Sequence, residues 1–375
     1  MTAPGAGLTI LHLAANRWWT GSADPTLRLC AGLRERGHRV LLGIVPGDRF
    51  EAMARAAGIE LVPGVRLDTR APPWALLRDA RRLRRLVRAE RVDVLHTHHS
   101  HDHWLALLVR RARRDGTPIP VVRSFHRLRS VKRGRVARWL YRRTAAVFAV
   151  SRLIEARCRE VGIAADTIHW IPGAADARFA ASVDPKPIRE EFKLGDAPVI
   201  VSVARLAPNR GHELLLSGFR RLLAGLADAR LLLVGKGETR PRLEQLVAEL
   251  GLAERVIFTG YRDRDLPAVL ASADCFALMA AGSDDSCRAA LEAMAAGLPV
   301  VARRVGALPE TVLHGETGFL LDDDTPDGVA TALARVLADR ERGRAMGLAG
   351  RRRVQEVFSP ERSVETVERV YRSLR

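Results

Sequence analysis

Residues 282–302 read GSDDSCRAALEAMAAGLPVVA, and this stretch combines a loop, a helix, a turn and a buried strand. We expect Ser283 or Asp285 to cap the helix start, Gly297 to end the helix and Pro299 to prevent its continuation. The apolar run LPVVA follows directly. A helix that passes through a tight turn into a buried strand is typical of an α/β protein with a parallel sheet.

The helix in this stretch is nearly all Ala, Leu and Met, yet it carries one carboxylate, Glu292. Two more carboxylates, Asp284 and Asp285, stand just before it. A carboxylate in so apolar a helix makes sense where it faces a ligand. The plain alternative is a glutamate on the exposed side of the helix.

On both sides of this stretch, short apolar runs alternate with helical segments along the whole chain. Strands are predicted at 9–15, 39–45, 92–98, 120–126, 145–151, 198–204, 230–235, 255–260, 275–279 and 298–302. This alternation predicts two doubly wound, Rossmann-like α/β domains. We expect the first over residues 1–175 and the second over 176–358, with a proline-interrupted hinge near 172–197. The last segment, 359–375, is predicted to be a helix that packs back on the first domain.

The composition limits the function classes. The 375 residues carry a net charge of +18, all of which falls within residues 1–175, as do all six tryptophans. A basic half attracts anionic lipid, phosphorylated glycan or nucleic acid, but no nucleic-acid-binding module is recognisable and we expect no nucleic acid partner. The four cysteines form no CxxC pair, so we predict neither a zinc site nor a disulfide framework. The apolar runs are too short to span a bilayer and no leader is evident, which predicts a cytoplasmic protein.

Polar and glycine residues recur directly after the predicted strands. In parallel sheets ligands bind beyond the carboxyl ends of the strands, and one cleft would collect these groups if two such edges face each other. The residues concerned are Gly21, Ser22, His98, His126, Arg205, Arg210, Lys236, Tyr261, Arg262, Asp284 and Asp285.

These residue types suit a phosphorylated ligand. Arg205 and Arg210 bracket a Pro-Asn loop and would clamp a diphosphate, with Lys236 as a third cation. Gly21 and Ser22 precede a helix and suit a phosphate or a sugar hydroxyl. Solvated arginines and plain turn residues are the alternatives.

Two further runs resemble metal sites without matching one. HTHHSHDH, residues 96–103, holds five histidines, but its spacing matches no standard ligand set and we interpret them as loop histidines. LDDDTPDG, residues 321–328, is interpreted as a helix start at Thr325-Pro326 with acidic residues near its positive end. We predict no metal and no cofactor.

The motifs resemble those of the retaining glycosyltransferases of family 4, which have the GT-B fold of two Rossmann-like domains facing across a cleft. The family carries a Glu, seven residues and a second Glu followed by A-M-A-x-G-x-P-V-V, and here Asp284 and Glu292 stand at these positions before AMAAGLPVV. Residues 203–219, VARLAPNRGHELLLSGF, are similar to the family's G-R-L-x-x-x-K-G segment. RSFH at 123–126 and HGETGFLL at 314–321 also fit.

The resemblance implies roles for individual residues. Glu292 would bond the ribose hydroxyls of a donor nucleotide and Asp284 the donor sugar. Arg205 and Arg210 would stabilise the leaving diphosphate, and His126 would lie near the reacting sugar. The remaining binding residues would be the backbone N–H groups of Cys287, Arg288 and Ala289 at the phosphates, Tyr261 and Arg262 beside the base, Lys236 as a further cation, and Gly21 and Ser22 toward donor or acceptor.

The resemblance therefore implies a metal-independent, retaining hexosyl transfer from a nucleoside diphosphate sugar to a hydroxyl of a glycan or lipid-linked acceptor in cell-envelope polysaccharide or lipopolysaccharide synthesis. The basic half, including residues 128–143 as a predicted helix, would contact the anionic inner face of a membrane. The chain departs from the family at Asp284 for Glu, Arg210 for Lys and Ser286-Cys287-Arg288 for F-G-L. A nucleotide-sugar-binding protein without transferase activity is therefore the alternative, and a GT-B epimerase or phosphorylase is a nearer rival.

Overall fold

The computed structural model describes residues 7–16, 22–68, 73–113, 115–282 and 285–375. The chain divides into two compact units. The first consists of Met1–Pro172, Ser283–Asp285 and Pro360–Arg375, and the second of Gly173–Gly282 and Ser286–Ser359.

Within the described residues, the first unit is built on a seven-stranded parallel sheet of order β3-β2-β1-β4-β5-β6-β7. Its strands are β1 (Thr9–Ala14), β2 (Arg39–Ile44), β3 (Glu60–Leu61), β4 (Val94–Thr97), β5 (Val121–Phe125), β6 (Ala146–Ala149) and β7 (Ile168–Trp170). The helices between them are α1 (Ala23–Glu35), α2 (Arg49–Ala56), α3 (Pro73–Ala89), α4 (Ser100–Val109), α5 (Arg135–Tyr141) and α6 (Arg152–Glu160).

The strands of this sheet are buried on both faces, because alternate residues enter different cores. In β1, Ile10 packs with α1 and α2, whereas its neighbour Leu11 packs in the cluster that includes α3 and α4. This pattern explains the continuous apolar runs in the sequence, since a strand covered on both sides has no polar face.

The second unit is built, in its described part, on a six-stranded parallel sheet of order β10-β9-β8-β11-β12-β13. Its strands are β8 (Val199–Val203), β9 (Arg230–Val234), β10 (Val256–Gly260), β11 (Cys275–Leu278), β12 (Val300–Ala302) and β13 (Gly318–Leu320). Its helices are α7 (Lys186–Glu191), α8 (His212–Leu222), α9 (Arg240–Glu249), α10 (Leu266–Ala271), α11 (Arg288–Ala295), α12 (Leu308–Thr311), α13 (Pro326–Leu337) and α14 (Arg340–Val357).

The last helix, α15 (Pro360–Ser373), belongs to the first unit. It places Val364, Val367 and Tyr371 in the core that includes α1. Glu368 receives hydrogen bonds from Arg36, from Arg372 and from His38, whose Nε2 lies 3.1 Å away. Burial raises the pKa of Glu368, but these donors outweigh it and lower the pKa to about 2.

Both sheets reverse their strand order beside their first strand, between β1 and β4 in one unit and between β8 and β11 in the other. In a doubly wound sheet such a switch point opens a crevice at the carboxyl ends of the strands. The loops after these strands therefore position the candidate functional residues. Among the described residues no helix has both the length and the apolar character needed to cross a membrane.

Some local predictions were wrong. The expected helix over 128–143 is a 3-10 turn at Leu128–Ser130 followed by the shorter α5, because Gly134, with φ of 109°, stands immediately before it. The expected cap at Asp285 is also wrong, since α11 begins at Arg288 with Cys287 as its N-cap residue. Ser283, the other expected cap, lies outside the described residues. The helix start at Thr325-Pro326 is confirmed, because the Thr325 hydroxyl accepts from the N–H of Gly328.

Candidate active site

The loops after β8 and β9 interlock at the edge of the second unit's sheet. The N–H of Leu206 donates to the carbonyl of Lys236 over 3.1 Å, and the N–H of Thr239 donates to the carbonyl of Leu206 over 3.0 Å. A Cβ atom on Gly237 would lie 1.9 Å from the Leu206 carbonyl oxygen, so the two backbones pass too closely for any other residue. The crossing fixes Arg205 and Lys236 as neighbours.

Arg205 and Arg210 provide two cations at this edge. Arg205 is exposed and its guanidinium lies 3.0 Å from the carboxylate of Glu238. Arg210 is half-buried and donates to the carbonyl of Gly282 after β11. Burial and the nearby charge of Arg205 lower the pKa of Arg210. Arg205 and Arg210 therefore lie near each other at the strand ends of this unit.

Gly211 shows why the loop carrying Arg210 needs a glycine at its end. It adopts the left-handed conformation, with φ of 73°, as the N-cap residue of α8. A Cβ atom there would lie 2.4 Å from Cβ of Met279. The loop that carries Arg210 therefore packs directly against the end of β11.

Lys236, Tyr261 and Arg262 follow the two strands on the outer side of β8. The ammonium group of Lys236 lies 5.3 Å from the centre of the exposed Tyr261 ring. Arg262 is bound within its own unit: it pairs with Glu191, and it pairs with Asp265 over 2.7 Å. Lys236 and Tyr261 face solvent, whereas the guanidinium of Arg262 is held by two carboxylates.

Helix α11 carries the remaining predicted residues of the second unit. Cys287 is its N-cap residue, and Arg288 and Ala289 are its first two residues, so their N–H groups lie at the positive end of the helix. Cys287 is buried and left-handed, with φ of 53°, a conformation that favours glycine. Glu292 is largely buried and its carboxylate lies 3.2 Å from Nε of Arg288 one turn earlier.

Ser22 and His126 lie at the carboxyl edge of the first unit's sheet. Ser22 is the N-cap residue of α1, and its hydroxyl accepts from the amide of Asn16 over 2.9 Å. His126 follows β5 directly. Burial, followed by the charges of Arg123 and Arg127, lowers the pKa of His126 to about 3. Two predicted residues, Gly21 and Asp284, lie outside the described residues.

Asp285 is assigned to the first unit. Its carboxylate accepts from the N–H of Leu128 over 2.5 Å, and its N–H donates to the carbonyl of His126 over 3.0 Å. These two hydrogen bonds hold Asp285 beside the backbone that carries His126.

The histidine run at 96–103 was misinterpreted as a loop. His96 is buried within β4, His98 is buried just beyond it, His99 is the N-cap residue of α4, and His103 is buried in that helix. The sequence contained the signal, since alternating histidines after an apolar run fit the end of a buried strand. Three imidazoles, those of His12, His96 and His98, each place one ring nitrogen within 4.8 Å of the others.

Two residues, one at the edge of each unit, were missed by sequence reasoning. Thr26 lies in α1 with its hydroxyl 3.1 Å from Nδ1 of His98. Glu238 opposes Arg205, and hydrogen bonds from its own N–H and from Arg205 lower its pKa. A threonine inside a helix gives no sequence signal, whereas Glu238 follows Gly235-Lys236-Gly237 and could have been found as the next polar group after β9.

Chemically, the second unit's edge is suited to a diphosphate. It offers guanidinium groups, an ammonium group and helix N–H donors, all of which bind phosphate oxygens. Glu292 adds an acceptor for hydroxyl groups. The first unit's edge offers neutral imidazole and hydroxyl groups.

Comparisons with known proteins agree with this arrangement. The family model described as Glycosyltransferase Family 4 matches residues 20–179, and the model described as Glycosyl transferases group 1 matches residues 184–353. A GDP-mannose-dependent alpha-(1-6)-phosphatidylinositol monomannoside mannosyltransferase of Mycobacterium tuberculosis (strain H37Rv) is 33% identical over 331 residues, 81% of each chain. The chain belongs to glycosyltransferase family 4.

Other family relatives are similar over different lengths. The protein of the same description from Mycolicibacterium smegmatis is 38% identical over 224 residues, which cover 58% of this chain and 55% of that one. The N-acetyl-alpha-D-glucosaminyl L-malate synthase of Bacillus anthracis is 27% identical over 80% of this chain and 79% of its own.

Solved structures of glycosyltransferases show the same fold as this family member. Anabaena HepE in complex with UDP superposes with a TM-score of 0.84 at 20% identity, covering 98% of this chain and 100% of that one. The lipopolysaccharide outer core galactosyltransferase WaaB superposes with a TM-score of 0.73 at 15% identity, covering 98% and 99%. The predicted GT-B fold is confirmed.

Proposed function

We propose that this family 4 member transfers a hexosyl group from a nucleoside diphosphate sugar to a hydroxyl group of a glycan or lipid-linked acceptor, with retention of anomeric configuration and without a metal. The observation that supports it most is the interlocked edge of the second unit, which holds Arg205, Arg210 and Lys236 together. Such an edge suits the charge that develops on a departing diphosphate.

The proposed donor contacts follow from this edge. The N–H groups at the start of α11 bind the phosphates, Glu292 binds the ribose hydroxyls and Tyr261 lies beside the base. Arg288 pairs with Glu292 within α11 and competes for its carboxylate. His126 and Ser22 act from the first unit, and Asp284 and Gly21 are proposed on the resemblance alone.

The proposed mechanism is front-face transfer. The leaving phosphate oxygen takes the acceptor proton while Arg205 and Arg210 stabilise its negative charge. Positioning and electrostatics then supply most of the reduction in barrier. NMR of the product's anomeric proton tests whether the configuration is retained. Transfer rates that are unchanged by a metal chelator would support metal independence.

GDP-mannose is the first donor to test, because the mycobacterial relatives are described as GDP-mannose-dependent. The test is thermal stabilisation of the full chain by GDP, UDP and ADP sugars. A donor at about 100 times its dissociation constant adds about 2.7 kcal/mol to the free energy of unfolding. Stabilisation by one nucleotide series supports the proposal, and no stabilisation by any of the three contradicts it.

Binding without transfer remains the second candidate function, and the substitutions at Asp284 and Arg210 favour it. Both keep the charge of the family residue and change its reach. The restoring variants Asp284→Glu and Arg210→Lys separate the candidates. Release of nucleotide diphosphate in the presence of acceptor by the wild-type chain supports transfer, and donor binding with release only in the restored variants supports the binding protein.

A membrane-bound acceptor is supported by one surface of the first unit, the α4–α5 patch of Trp104, Leu108, Val136 and Trp139. All four side chains are exposed, and Val136 is the most exposed at 66%. The two indole rings stack with centroids 5.7 Å apart. Exposed arginines flank Val136 and Trp139 in the sequence, and Arg143 lies 4.0 Å from the Trp139 ring centre. Exposed aromatic rings with cations nearby are suited to the headgroup region of an anionic membrane.

Flotation with vesicles of neutral lipid plus phosphatidylglycerol tests this patch. Trp139→Ser and Val136→Ser are expected to reduce binding, whereas Leu348→Ser, at an exposed leucine of the second unit, is not. Binding that is equal in all variants, or absent at low salt, contradicts membrane docking and leaves the transferase proposal standing.

A further inference from the structure

A chain of three imidazoles runs from inside the first unit's sheet to its edge. Nδ1 of His12 lies 3.1 Å from Nε2 of His98, and Nδ1 of His98 lies 3.1 Å from Nε2 of His126. Burial is the main cause that lowers the pKa of all three, to about 3 for His12 and His126. At neutral pH each ring therefore carries one proton, and each contact joins one N–H to one lone pair.

Thr26 decides the direction of these hydrogen bonds. Its hydroxyl lies 2.8 Å from the carbonyl oxygen of Ser22, four residues earlier in the chain. A carbonyl only accepts, so the single hydroxyl proton is used there. The same hydroxyl oxygen lies 3.1 Å from Nδ1 of His98 and must therefore accept a proton from it.

The proton on Nδ1 of His98 also faces Nε2 of His126, so that nitrogen must carry a lone pair rather than a proton. The proton of the neutral His126 ring is consequently on Nδ1. On the other side, Nε2 of His98 is a lone pair and accepts from Nδ1–H of His12. This leaves a lone pair on Nε2 of His12, a buried ring nitrogen without a hydrogen-bond partner among the described residues.

Both ring nitrogens of the neighbouring His96 have hydrogen-bond partners of their own, outside this chain of imidazoles. Its Nδ1 lies 2.5 Å from the hydroxyl of Tyr371 in α15, and its Nε2 lies 2.8 Å from the hydroxyl of Ser124. A metal ion between His12, His96 and His98 would have to take lone pairs from this network. The hydrogen-bonded arrangement accounts for both ring nitrogens of His96 and of His98 without one.

We propose that Thr26, acting through His98, fixes the tautomer of His126 so that its Nδ1–H is the hydrogen-bond donor available to a ligand. Thr26 and His98 are positioning residues, and His126 is the group that meets a sugar hydroxyl. The tautomer assignment rests on the hydrogen bonds alone, whereas its consequence for transfer rests on the proposed function.

NMR of the full chain with ¹⁵N-labelled histidine tests the assignment, because the shifts and couplings of the ring nitrogens distinguish protonated from bare nitrogen. Wild-type His126 is expected to be protonated on Nδ1. Thr26→Val, which keeps the shape and removes the hydroxyl, is expected to give a mixture of tautomers or the opposite one. Thr26→Ser restores the hydroxyl and is expected to restore the wild-type spectrum.

Three results would overturn the proposal. They are protonation of wild-type His126 on Nε2, an unchanged His126 tautomer in Thr26→Val, and stoichiometric Zn²⁺ binding that shifts the ring nitrogens of His12, His96 and His98 together. Thr26→Ala serves as a second variant if Thr26→Val does not fold, which circular dichroism establishes beforehand.

The functional consequence has a separate readout. Thr26→Val is expected to lower kcat about 10–100-fold, as when a partner that orients a functional imidazole is removed, with little change in KM for the donor. Thr26→Ser is expected to recover most of that loss. Absence of transfer in the wild-type chain would count against the proposed function and leave the NMR result standing, whereas equal kcat in wild type and Thr26→Val would remove the positioning role.

Discussion

The two strand-end edges place polar groups in opposite physical states. At the first unit's edge, His98 and His126 are neutral, because burial disfavours the charged imidazolium. At the second unit's edge, Arg205 and Lys236 are exposed cations, and Arg205 is balanced by an exposed carboxylate. Interactions at the first edge depend on which nitrogen carries a proton, and interactions at the second depend on where the charges lie.

The two edges should respond to different changes in solution conditions. A neutral hydrogen-bonded network depends on geometry and on pH, because protonating one ring breaks a lone-pair contact. An exposed set of charges depends on salt and on competing ions, because water and counterions screen it. Perturbations chosen for one edge should therefore have little effect at the other.

The largest expected effect comes from removing a charge at the second edge. Arg205→Ala is expected to lower the transfer rate about 10²–10³-fold, since one donor to the developing charge is lost. The free energy of unfolding should change by less than about 1 kcal/mol, because the pair with Glu238 is exposed. Initial rates and urea unfolding measure both quantities.

The matched control is Arg240→Ala, which breaks a similar exposed pair with Glu244 in α9. It should leave both quantities near wild type. A rate for Arg205→Ala within threefold of the control would contradict the role of Arg205 at the diphosphate.

The second effect is a loss of stability in acid from the first edge. Histidines have a pKa near 6.5 when unfolded, and burial lowers that of His12, His99 and His126 to about 3 in the folded protein. The unfolded chain therefore binds more protons below pH 6.5, and each such histidine lowers the free energy of unfolding by up to about 1.4 kcal/mol per pH unit between pH 6.5 and 3.

Asp102 opposes this trend. Burial raises its pKa to about 7, so the folded state binds an extra proton between pH 7 and 3.8 and gains stability as pH falls. Urea unfolding at pH 7.5, 6.0 and 5.0 should show a net loss of stability in acid. His103→Gln, which removes a buried imidazole outside the three-histidine chain, should reduce the slope. A free energy of unfolding that rises from pH 6.5 to 5.0 would contradict the neutral edge.

A third effect of about 1 kcal/mol is expected at the start of α11. Cys287 has the left-handed backbone of a glycine, which costs a residue with a Cβ atom about 1–2 kcal/mol. Cys287→Gly relieves this strain and loses a small buried side chain, so the free energy of unfolding should rise by about 1 kcal/mol or less. Cys158→Gly, within helix α6, is the control and should destabilise. A clear loss of stability in Cys287→Gly would show that the thiol packing outweighs the strain.

The smallest effect concerns competition for Arg205. Glu238→Gln removes the carboxylate that opposes it, and an exposed pair contributes little because water screens it. Nucleoside diphosphate affinity should therefore rise up to about fivefold at low salt, with the gain disappearing in high salt. Calorimetric titration measures it, and Glu244→Gln should show no gain. A gain that persists in high salt would indicate a cause other than charge competition.

Most of the fold was predictable from hydrophobic runs, because strands covered on both faces are continuously apolar. The runs overestimated strand length, as at 92–98, where the strand covers Val94–Thr97. They missed β3, β7 and β13, which have only two or three residues each. The helix start at Arg288 was missed because it follows a left-handed cysteine, which no capping rule anticipates.

The candidate site was predictable where topology alone decides it. Parallel strands bring their carboxyl ends to one edge, so Arg205, Arg210 and Lys236 could be expected together. The histidine chain could not, because Thr26 and His98 are 72 residues apart and their contact depends on the packing of α1 over β4. The pairing of Glu292 with Arg288 is an i,i+4 contact within α11, so predicting it required the helix start at Arg288 to be placed correctly.

The position of α15 has a consequence for how the protein is made. The helix fills the first unit's core with Val364, Val367 and Tyr371, yet residues 173–359 are synthesised between Pro172 and the start of the helix. At ~5–20 residues per second, the ribosome needs on the order of 10–40 s to produce that interval. During this time the apolar side of α1 that α15 covers in the folded protein stays exposed, so the nascent first unit presents a surface to which a chaperone can bind.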